Sequence, residues 1–171
     1  MTPTDIANQL SKRFGDAITE SLPEDKRPRV HTTASHWREV AAFLAHDPDL
    51  AFDWLGCVTA VDYVGEDQLC AVYDLYSTKH RTWFAVKVYV DRADAHIPSV
   101  MDIWPAANWH EREAYDLMGI VFDDHADLRR ILLPEDWQGY PLRKDYVFPH
   151  AYHGIPGTYE TDWKQWAKYP K

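Results

Sequence analysis

Cysteine is scarce in this sequence, and the scarcity excludes several kinds of redox centre. Cys57 and Cys70 are the only cysteines among 171 residues, so the chain cannot supply the four thiolates that an iron–sulfur cluster requires. They do not form a CxxC pair, and no N-terminal signal segment is recognisable, which together predict a reducing compartment. We therefore expect no cofactor on this chain.

Long apolar runs and an excess of positive charge are also missing. No apolar run approaches the roughly 18 residues that span a bilayer, so we expect any membrane association to come through a partner. The formal net charge is −9, which disfavours nucleic acid or an anionic lipid surface, because both require a basic surface. Aromatic residues, by contrast, make up 14% of the chain, and such side chains are enriched at protein interfaces.

The common catalytic motifs are absent as well. The sequence contains no phosphate-binding glycine loop, dinucleotide-binding turn or serine nucleophile elbow. His110 and Glu111 begin the H-E-x-x-H pattern of zinc proteases, but Ala114 stands where the second histidine is needed. One alternative of a different class stays open, a small metal-dependent hydrolase built on His110, Glu113 and His125.

Hydrophobic periodicity predicts an α+β fold, an antiparallel sheet of about four strands covered by helices. Apolar residues recurring every three or four positions predict helices over 2–20, with Thr2 as N-cap, over a second segment with Ser35 as N-cap, and over 99–104. Alternating or continuous apolar runs predict strands at 30–33, 54–63, 69–77 and 82–90. The short connections between the last three predict a meander.

The chain is organised around residues 108–146, which begin with one more predicted helix. Asn108 is its candidate N-cap, Glu111 completes a capping box, and Gly119 suits a left-handed helix end. Arg112, Glu113 and Asp116 fall opposite the apolar face of this helix.

The polar face of this helix is not arranged for the helix's own stability. Asp116 lies near the negative end of the helix dipole, where a carboxylate is unfavourable. We therefore infer that Glu113 and Asp116 have partners elsewhere, although a simply solvated face is the alternative. The nearest candidates in sequence are Arg129, Arg130, Arg143 and Lys144. The arginines can pair with acids inside the domain or across an interface, and the sequence leaves both possibilities open.

Two consecutive motifs carry a family resemblance. Residues 111–122, E-R-E-x-x-D-L-M-G-I-x-F, resemble a motif of the 30-kDa-type subunit of NADH:quinone oxidoreductase, which is respiratory complex I. Residues 125–146, H-x-x-L-x-R-I-L-x-P-E-x-W-x-G-x-P-L-R-K-D-Y, are similar to the continuation of that motif. Met118 departs from the pattern, where an aromatic residue or leucine is expected.

The resemblance implies a non-redox subunit of the peripheral arm of a proton-pumping enzyme. It implies packing against the neighbouring 49-kDa-type subunit of complex I, near the quinone site, with no catalytic residue on this chain. NADH, quinone, FMN and the iron–sulfur clusters would be bound by partner subunits, at the cytoplasmic face of the inner membrane. Related ferredoxin- or F420-dependent dehydrogenases and membrane-bound hydrogenases share the motif and remain alternatives.

The C-terminal part of the chain is both proline-rich and aromatic. We expect an α+β domain over residues 1–133 and an extended docking arm over 134–171, with a possible helical turn at 161–168. Prolines keep such an arm extended, and its rings need another surface to cover them. The candidate subunit-interface residues are Glu111, Arg112, Glu113, Asp116, Arg129, Arg130, Trp137, Arg143, Lys144, Asp145 and Tyr146.

Overall fold

A mixed five-stranded sheet with helices on one face dominates residues 1–156, the part of the chain that this computed structural model describes. The helices are α1 (Pro3–Phe14), α2 (Ala34–His46) and α3 (Ala107–Met118). The strands of the sheet are β1 (Ile18–Leu22), β2 (Arg29–Thr33), β3 (Trp54–Tyr63), β4 (Gln68–Ser77) and β5 (Thr82–Asp91). Short pairs follow, β6 (His96–Pro98) with β7 (Val121–Asp123), and β8 (Ala151–Tyr152) with β9 (Ile155–Pro156). The predicted α+β class is confirmed.

The sheet differs from the predicted one in strand number and direction. Its order is β1-β2-β5-β4-β3, five strands where about four were expected. The antiparallel meander of β3, β4 and β5 is confirmed, but β2 runs parallel to β5, with Val30 opposite Val86. The prediction of an all-antiparallel sheet was therefore wrong, because α2, β3 and β4 intervene in the chain between β2 and its neighbour β5.

The first helix is shorter than its periodicity predicted. The capping box at its start is confirmed, since the Asp5 amide donates to Thr2 Oγ1 at 3.2 Å and the Thr2 amide donates to Asp5 Oδ2 at 2.8 Å. The helix ends at Phe14, because Gly15 takes a positive φ of 53°. The predicted helical residues after Ala17 form β1 instead, paired with β2.

Two other helix boundaries were also predicted wrongly. The N-cap of α2 is Thr33, not Ser35. The predicted helix over 99–104 is a series of turns, and the short strand β6 directly precedes it. The parallel pairing with β7 keeps residues 96–98 extended, and the Ser99 amide continues this pairing by donating to the backbone oxygen of Asp123 at 2.8 Å.

One face of the sheet holds the main core. Along β5, Phe84, Val86 and Val88 point to the helices and are buried, as the alternation predicted. Trp37 of α2 lies against Tyr73 of β4, with ring centroids 4.2 Å apart. Helix α3 packs against β3, which is an edge strand, and this placement brings the end of α3 next to the segment that follows it.

Candidate docking site

Three charged residues of α3 are buried, whereas Glu113 is exposed, so the alternative of a fully solvated polar face is wrong. Glu111, Arg112 and Asp116 are at most 4% exposed. The N-cap residue is Ala106, not Asn108, and no side chain caps the helix. Charges with so little solvent require partners inside the protein.

Glu111 faces the turn that follows β6. Its Oε2 accepts a hydrogen bond from the Ser99 hydroxyl at 2.6 Å, and its Oε1 accepts one from the Val100 amide at 3.0 Å. The nearest ring nitrogen of His125 is 4.0 Å from Oε2. Burial raises the pKa of Glu111 to about 7, because the charged form loses its hydration. Glu111 therefore fastens α3 to the core and does not face a solvent-side partner.

Asp116 is the best satisfied charge of the segment. Its Oδ1 lies 2.9 Å from the Arg130 guanidinium, which confirms the prediction of a partner elsewhere in the chain. Its Oδ2 accepts the backbone amides of Ile131, Leu132 and Leu133 at 2.9, 2.7 and 3.0 Å. Burial by itself would raise the pKa of this carboxyl, but these amides and Arg130 lower it below its ordinary value.

Arg112 and Arg129 also find partners within the chain. The buried Arg112 donates to the backbone oxygen of Arg129 at 3.3 Å and lies 3.5 Å from Asp127. Its guanidinium sits 4.9 Å from the Trp109 ring centroid. The exposed Arg129 side chain donates to Asp127 at 2.9 Å. These contacts order the chain between β7 and residue 130.

The first part of the predicted arm crosses the end of α3. Gly119 adopts a positive φ of 75°, and a Cβ built there would lie 2.5 Å from the Tyr140 ring, so only glycine fits beneath that ring. Arg143 donates to the backbone oxygen of Met118 at 2.8 Å. The same guanidinium stacks over Tyr140, 4.7 Å from its centroid. The arm is therefore seated on the domain at this point.

A second buried aspartate holds the arm further along. The side chain of Asp62, in β3, is fully buried, and its Oδ2 accepts the Lys144 amide at 2.8 Å. Arg92 forms ion pairs with Asp62 at 2.9 Å and with Asp145 at 2.7 Å, so it bridges sheet and arm. Sequence reasoning missed Asp62 and Arg92, because nothing local distinguishes them from other charges near strand ends.

The remaining predicted residues are more exposed. Glu113 is exposed, and within residues 1–156 it has no hydrogen bond or ion pair, so its predicted partner is not found in that part of the chain. Trp137 packs on Tyr152 with ring centroids 5.2 Å apart. Tyr146 donates to the backbone oxygen of Gln138 at 3.1 Å. The predicted helical turn at 161–168 lies outside the described residues.

Large apolar side chains point outward from the same segment. Leu132 is 59% exposed, Leu142 57%, Val147 84% and Phe148 65%. The Leu132 amide bonds Asp116 and the Leu142 amide bonds the backbone oxygen of Leu117, whereas Val147 and Phe148 directly follow the held residues 144–146. Outward apolar side chains on an ordered backbone are typical of a protein-binding surface.

Two kinds of feature are missing from residues 1–156. No three His, Cys, Asp or Glu side chains are grouped there as metal ligands. His125 contacts the backbone oxygen of Asn108 at 3.2 Å, whereas His110 and Glu113 line a separate groove beside β3, so the three hydrolase candidates do not converge. No helix in this part of the chain combines the length and apolar character needed to cross a bilayer.

Sequence relatives are numerous and consistent. A protein from Chlorobium phaeobacteroides, named as the C subunit of NADH-quinone oxidoreductase, is 44% identical over 154 residues, covering 88% of this chain and 92% of its own length. The relative of the same name from Roseiflexus sp. is 48% identical over 141 residues, or 82% of this chain and 81% of its own. The one from Chloroherpeton thalassium is 43% identical over 160 residues, 92% of this chain, which spans 66% of that longer relative.

Solved structures and a family model agree with these relatives. The trypsin-resistant fragment (1-134) of Nqo5 matches with a TM-score of 0.60 and 28% identity, covering 74% of this chain and 100% of the fragment. A chain of the membrane-bound sulfane sulfur reductase, an archaeal respiratory membrane complex, matches with a TM-score of 0.70 and covers 98% of this chain and 92% of its own, but at 24% identity the likeness concerns the fold alone. The model of the family described as respiratory-chain NADH dehydrogenase, 30 Kd subunit, matches residues 30–152. Because that match covers most of the chain and contains the whole of α3 and the first part of the arm, the chain belongs to the 30-kDa subunit family of the respiratory-chain NADH dehydrogenase.

Proposed function

We propose that this chain is a non-redox subunit of the peripheral arm of a proton-pumping NADH:quinone oxidoreductase, and that it braces the neighbouring 49-kDa-type subunit beside the quinone site. The observation that carries the proposal is the arm segment, where exposed Leu142 lies on a backbone fastened to the domain and exposed Val147 and Phe148 follow directly after it. The shared name of the relatives supports NADH and quinone as substrates of the whole enzyme.

The proposed role is mechanical, and the energetics of the arm suit it. Burying one fully exposed leucine or phenylalanine against a partner contributes roughly 1.5–3 kcal/mol, so these outward side chains can form the apolar centre of a larger interface. A partner bound to an ordered segment is also held in a fixed position. Redox and quinone sites depend on placement within about 0.5 Å, which gives a subunit without catalytic groups a role in activity.

The rest of the assignment follows from the same proposal. The chain itself binds no cofactor, and FMN, the iron–sulfur clusters, NADH and quinone belong to partner subunits. It reaches the cytoplasmic face of the inner membrane only through the complex. Glu111, Arg112 and Asp116 are buried within the chain and face no partner. The candidate interface residues that remain are Glu113, Arg129, Arg130, Trp137, Arg143, Lys144, Asp145 and Tyr146.

Affinity purification from the native host tests the proposal. The tag is placed at the N-terminus, the membranes are dissolved in mild detergent, and the co-purifying chains are identified by mass spectrometry. We expect a 49-kDa-type subunit among them, together with flavin- and cluster-bearing chains. Subunits of a ferredoxin- or F420-dependent dehydrogenase, or of a hydrogenase, would instead support the related complexes. A chain recovered alone would refute the docking role.

A charge reversal in the arm supplies the matched comparison. Arg143→Glu removes the bond to Met118 and repels its carbonyl oxygen, so we expect the complex to be lost while the domain stays folded. Arg81→Glu changes the charge equally at the exposed turn between β4 and β5, and we expect normal recovery. Full recovery of the complex with Arg143→Glu would contradict the proposed docking surface.

A further inference from the structure

We propose that Asp116 and Asp62 are positioning residues that fix the docking geometry of residues 130–146 in the free chain, so that the neighbouring subunit meets a surface formed in advance. The identity of that neighbour rests on the proposed function. The ordering of the arm does not, because every group involved belongs to this chain.

The first fixing point is a carboxylate enclosed by consecutive amides. Oδ2 of Asp116 accepts the amides of residues 131, 132 and 133, all within 3.0 Å. Arg130 adds a bond from its guanidinium to Asp116 Oδ1 and another to the backbone oxygen of Gly139 at 3.2 Å. One side chain of α3 therefore sets the direction of four successive residues and, through Arg130, reaches the arm nine residues later.

The second fixing point lies on the edge strand of the sheet. Asp62 accepts the Lys144 amide, and Arg92 joins Asp62 to Asp145. The position of the arm along β3 is specific, because the adjacent residues Lys144 and Asp145 contribute a backbone amide and a side-chain carboxylate to the same cluster of Asp62 and Arg92. Residues 130–133 and 144–145 are thus held at two separate elements, α3 and β3.

The burial of Asp116 and Asp62 makes their hydrogen bonds to the backbone of residues 131–133 and 144 strongly stabilising. Both carboxylates are buried, and hydrogen bonds to a buried charge are stronger than neutral ones while an unpaired buried charge is costly. An arm that detached would leave each of them without its amide partners. The side chains facing outward from the same segment, Leu132 and Leu142, make no comparable contribution to holding it, since both are more than half exposed. Fixing and docking are thus carried by different groups.

Preorganisation of this kind changes how a partner binds. A segment that is ordered before binding does not spend binding free energy on its own ordering. We therefore expect the protein to associate by rigid contact and not by folding of the arm onto its partner, which is the opposite of what the proline-rich, aromatic sequence suggests.

Amide hydrogen exchange on the free, full-length chain tests the inference. We expect the amides of residues 131–133 and 144 to exchange at least about 100-fold more slowly than in an unfolded chain. Asp116→Ala, which removes the accepting oxygen, should return residues 131–133 to near-unfolded rates and leave residue 144 protected, and Asp62→Ala should do the reverse. Asp136→Ala is the matched control, because this exposed arm aspartate contacts the Tyr152 and His153 side chains and no buried amide.

The readout separates local positioning from general stability. Amides at the centre of the sheet, such as those of Tyr73 and Val86, should stay protected in all variants, and Arg130→Gln should reproduce part of the local loss without altering a fully buried group. Unprotected amides at residues 131–133 and 144 in the free wild-type chain, protected only in the assembled complex, would overturn the inference. That result would leave the proposed function intact, since the latter fails only if no partner co-purifies.

Discussion

The domain and the arm of this protein are held together by different forces. In the domain, helices and sheet bury a continuous apolar cluster that includes Trp37, Tyr73 and Phe84. From residue 129 onward, in the arm and the segment that leads into it, no large apolar side chain of the described residues is fully buried. The order of this stretch comes from backbone amides and arginines that meet aspartates of the domain, chiefly Asp116 and Asp62.

The difference shows how a chain can present apolar side chains without a core beneath them. Hydrophobic burial is non-directional, so an element held by it turns its apolar groups inward. Hydrogen bonds to a buried carboxylate hold the backbone instead and leave the side chains free to face outward. Leu132 is exposed for this reason, because its amide bonds Asp116 while its side chain faces outward, where a second protein can cover it.

The largest expected effect comes from the domain's core. Trp37→Ala removes a fully buried ring that packs against Tyr73 and Trp104, and we expect a loss of about 4 kcal/mol in the free energy of unfolding. Urea unfolding followed by fluorescence measures it. Trp83→Ala, at a ring that is more than half exposed, is the control and should cost far less. Equal losses would mean that the core does not carry the domain's stability.

The next effect concerns Glu111, the buried carboxyl that fastens α3 to the turn after β6. Its pKa of about 7 in the folded chain lies above the ordinary value of 4.5, so its stabilising contribution is complete below about pH 4.5 and is lost as the pH rises through about 7. The free energy of unfolding of Glu111→Gln minus that of the wild type should therefore be roughly 2–3 kcal/mol larger at pH 8 than at pH 5.

Urea midpoints at several pH values measure this trend. The comparison between the two proteins cancels contributions from other groups, such as His31, whose pKa is lowered by burial. Glu113→Gln, at an exposed position of the same helix, should show no such trend. A pH-independent difference for Glu111→Gln would show that this carboxyl titrates normally.

A smaller effect is expected where the arm lies on the end of α3. Gly119→Ala combines a positive φ with a clash against the Tyr140 ring, and we expect a cost of about 2 kcal/mol together with faster trypsin cleavage after Arg143. Gly154→Ala is matched, because Gly154 has a positive φ of 77° but nothing lies within 4 Å of its Cβ position. It should cost about 1 kcal/mol and leave the cleavage unchanged. Identical results for the two variants would argue against seating of the arm at Tyr140.

The smallest effect on stability should come from the outward side chains. Phe148→Ser is expected to change the free energy of unfolding by less than about 0.5 kcal/mol, because the ring is largely exposed. Recovery of the complex, by contrast, should fall at least about tenfold, since buried aromatic anchors dominate interfaces. Val64→Ser, at another exposed apolar residue, should change neither quantity. Undiminished recovery with Phe148→Ser would remove this ring from the docking surface.

Local patterns predicted much of the domain. The strands β3, β4 and β5 follow from alternation and from short turns, which are local signals. The strand β1 was missed because Ile18 extends the helical spacing of the residues before it, and the stop at Gly15 depends on backbone conformation. The parallel pairing of β2 with β5 is set by contacts distant in sequence, which no local pattern reveals.

The candidate site was only partly predictable, for the same reason. The unfavourable position of Asp116 on the helix dipole correctly indicated a partner, and Arg130 was among the candidates. The burial of Glu111 and Arg112 was not foreseen, because a charged residue carries no local mark of being covered. Asp62 and Lys144 are 82 residues apart, so their contact could be found only in the folded structure.

Site-specific photo-crosslinking in the intact complex tests the central claim most directly. A benzoylphenylalanine at position 148 should crosslink to a single other polypeptide of the 49-kDa type, and the same probe at position 64 should not. Absence of any crosslink from position 148 in the assembled complex, or equal crosslinking from both positions, would contradict the account that this chain acts by docking through its arm.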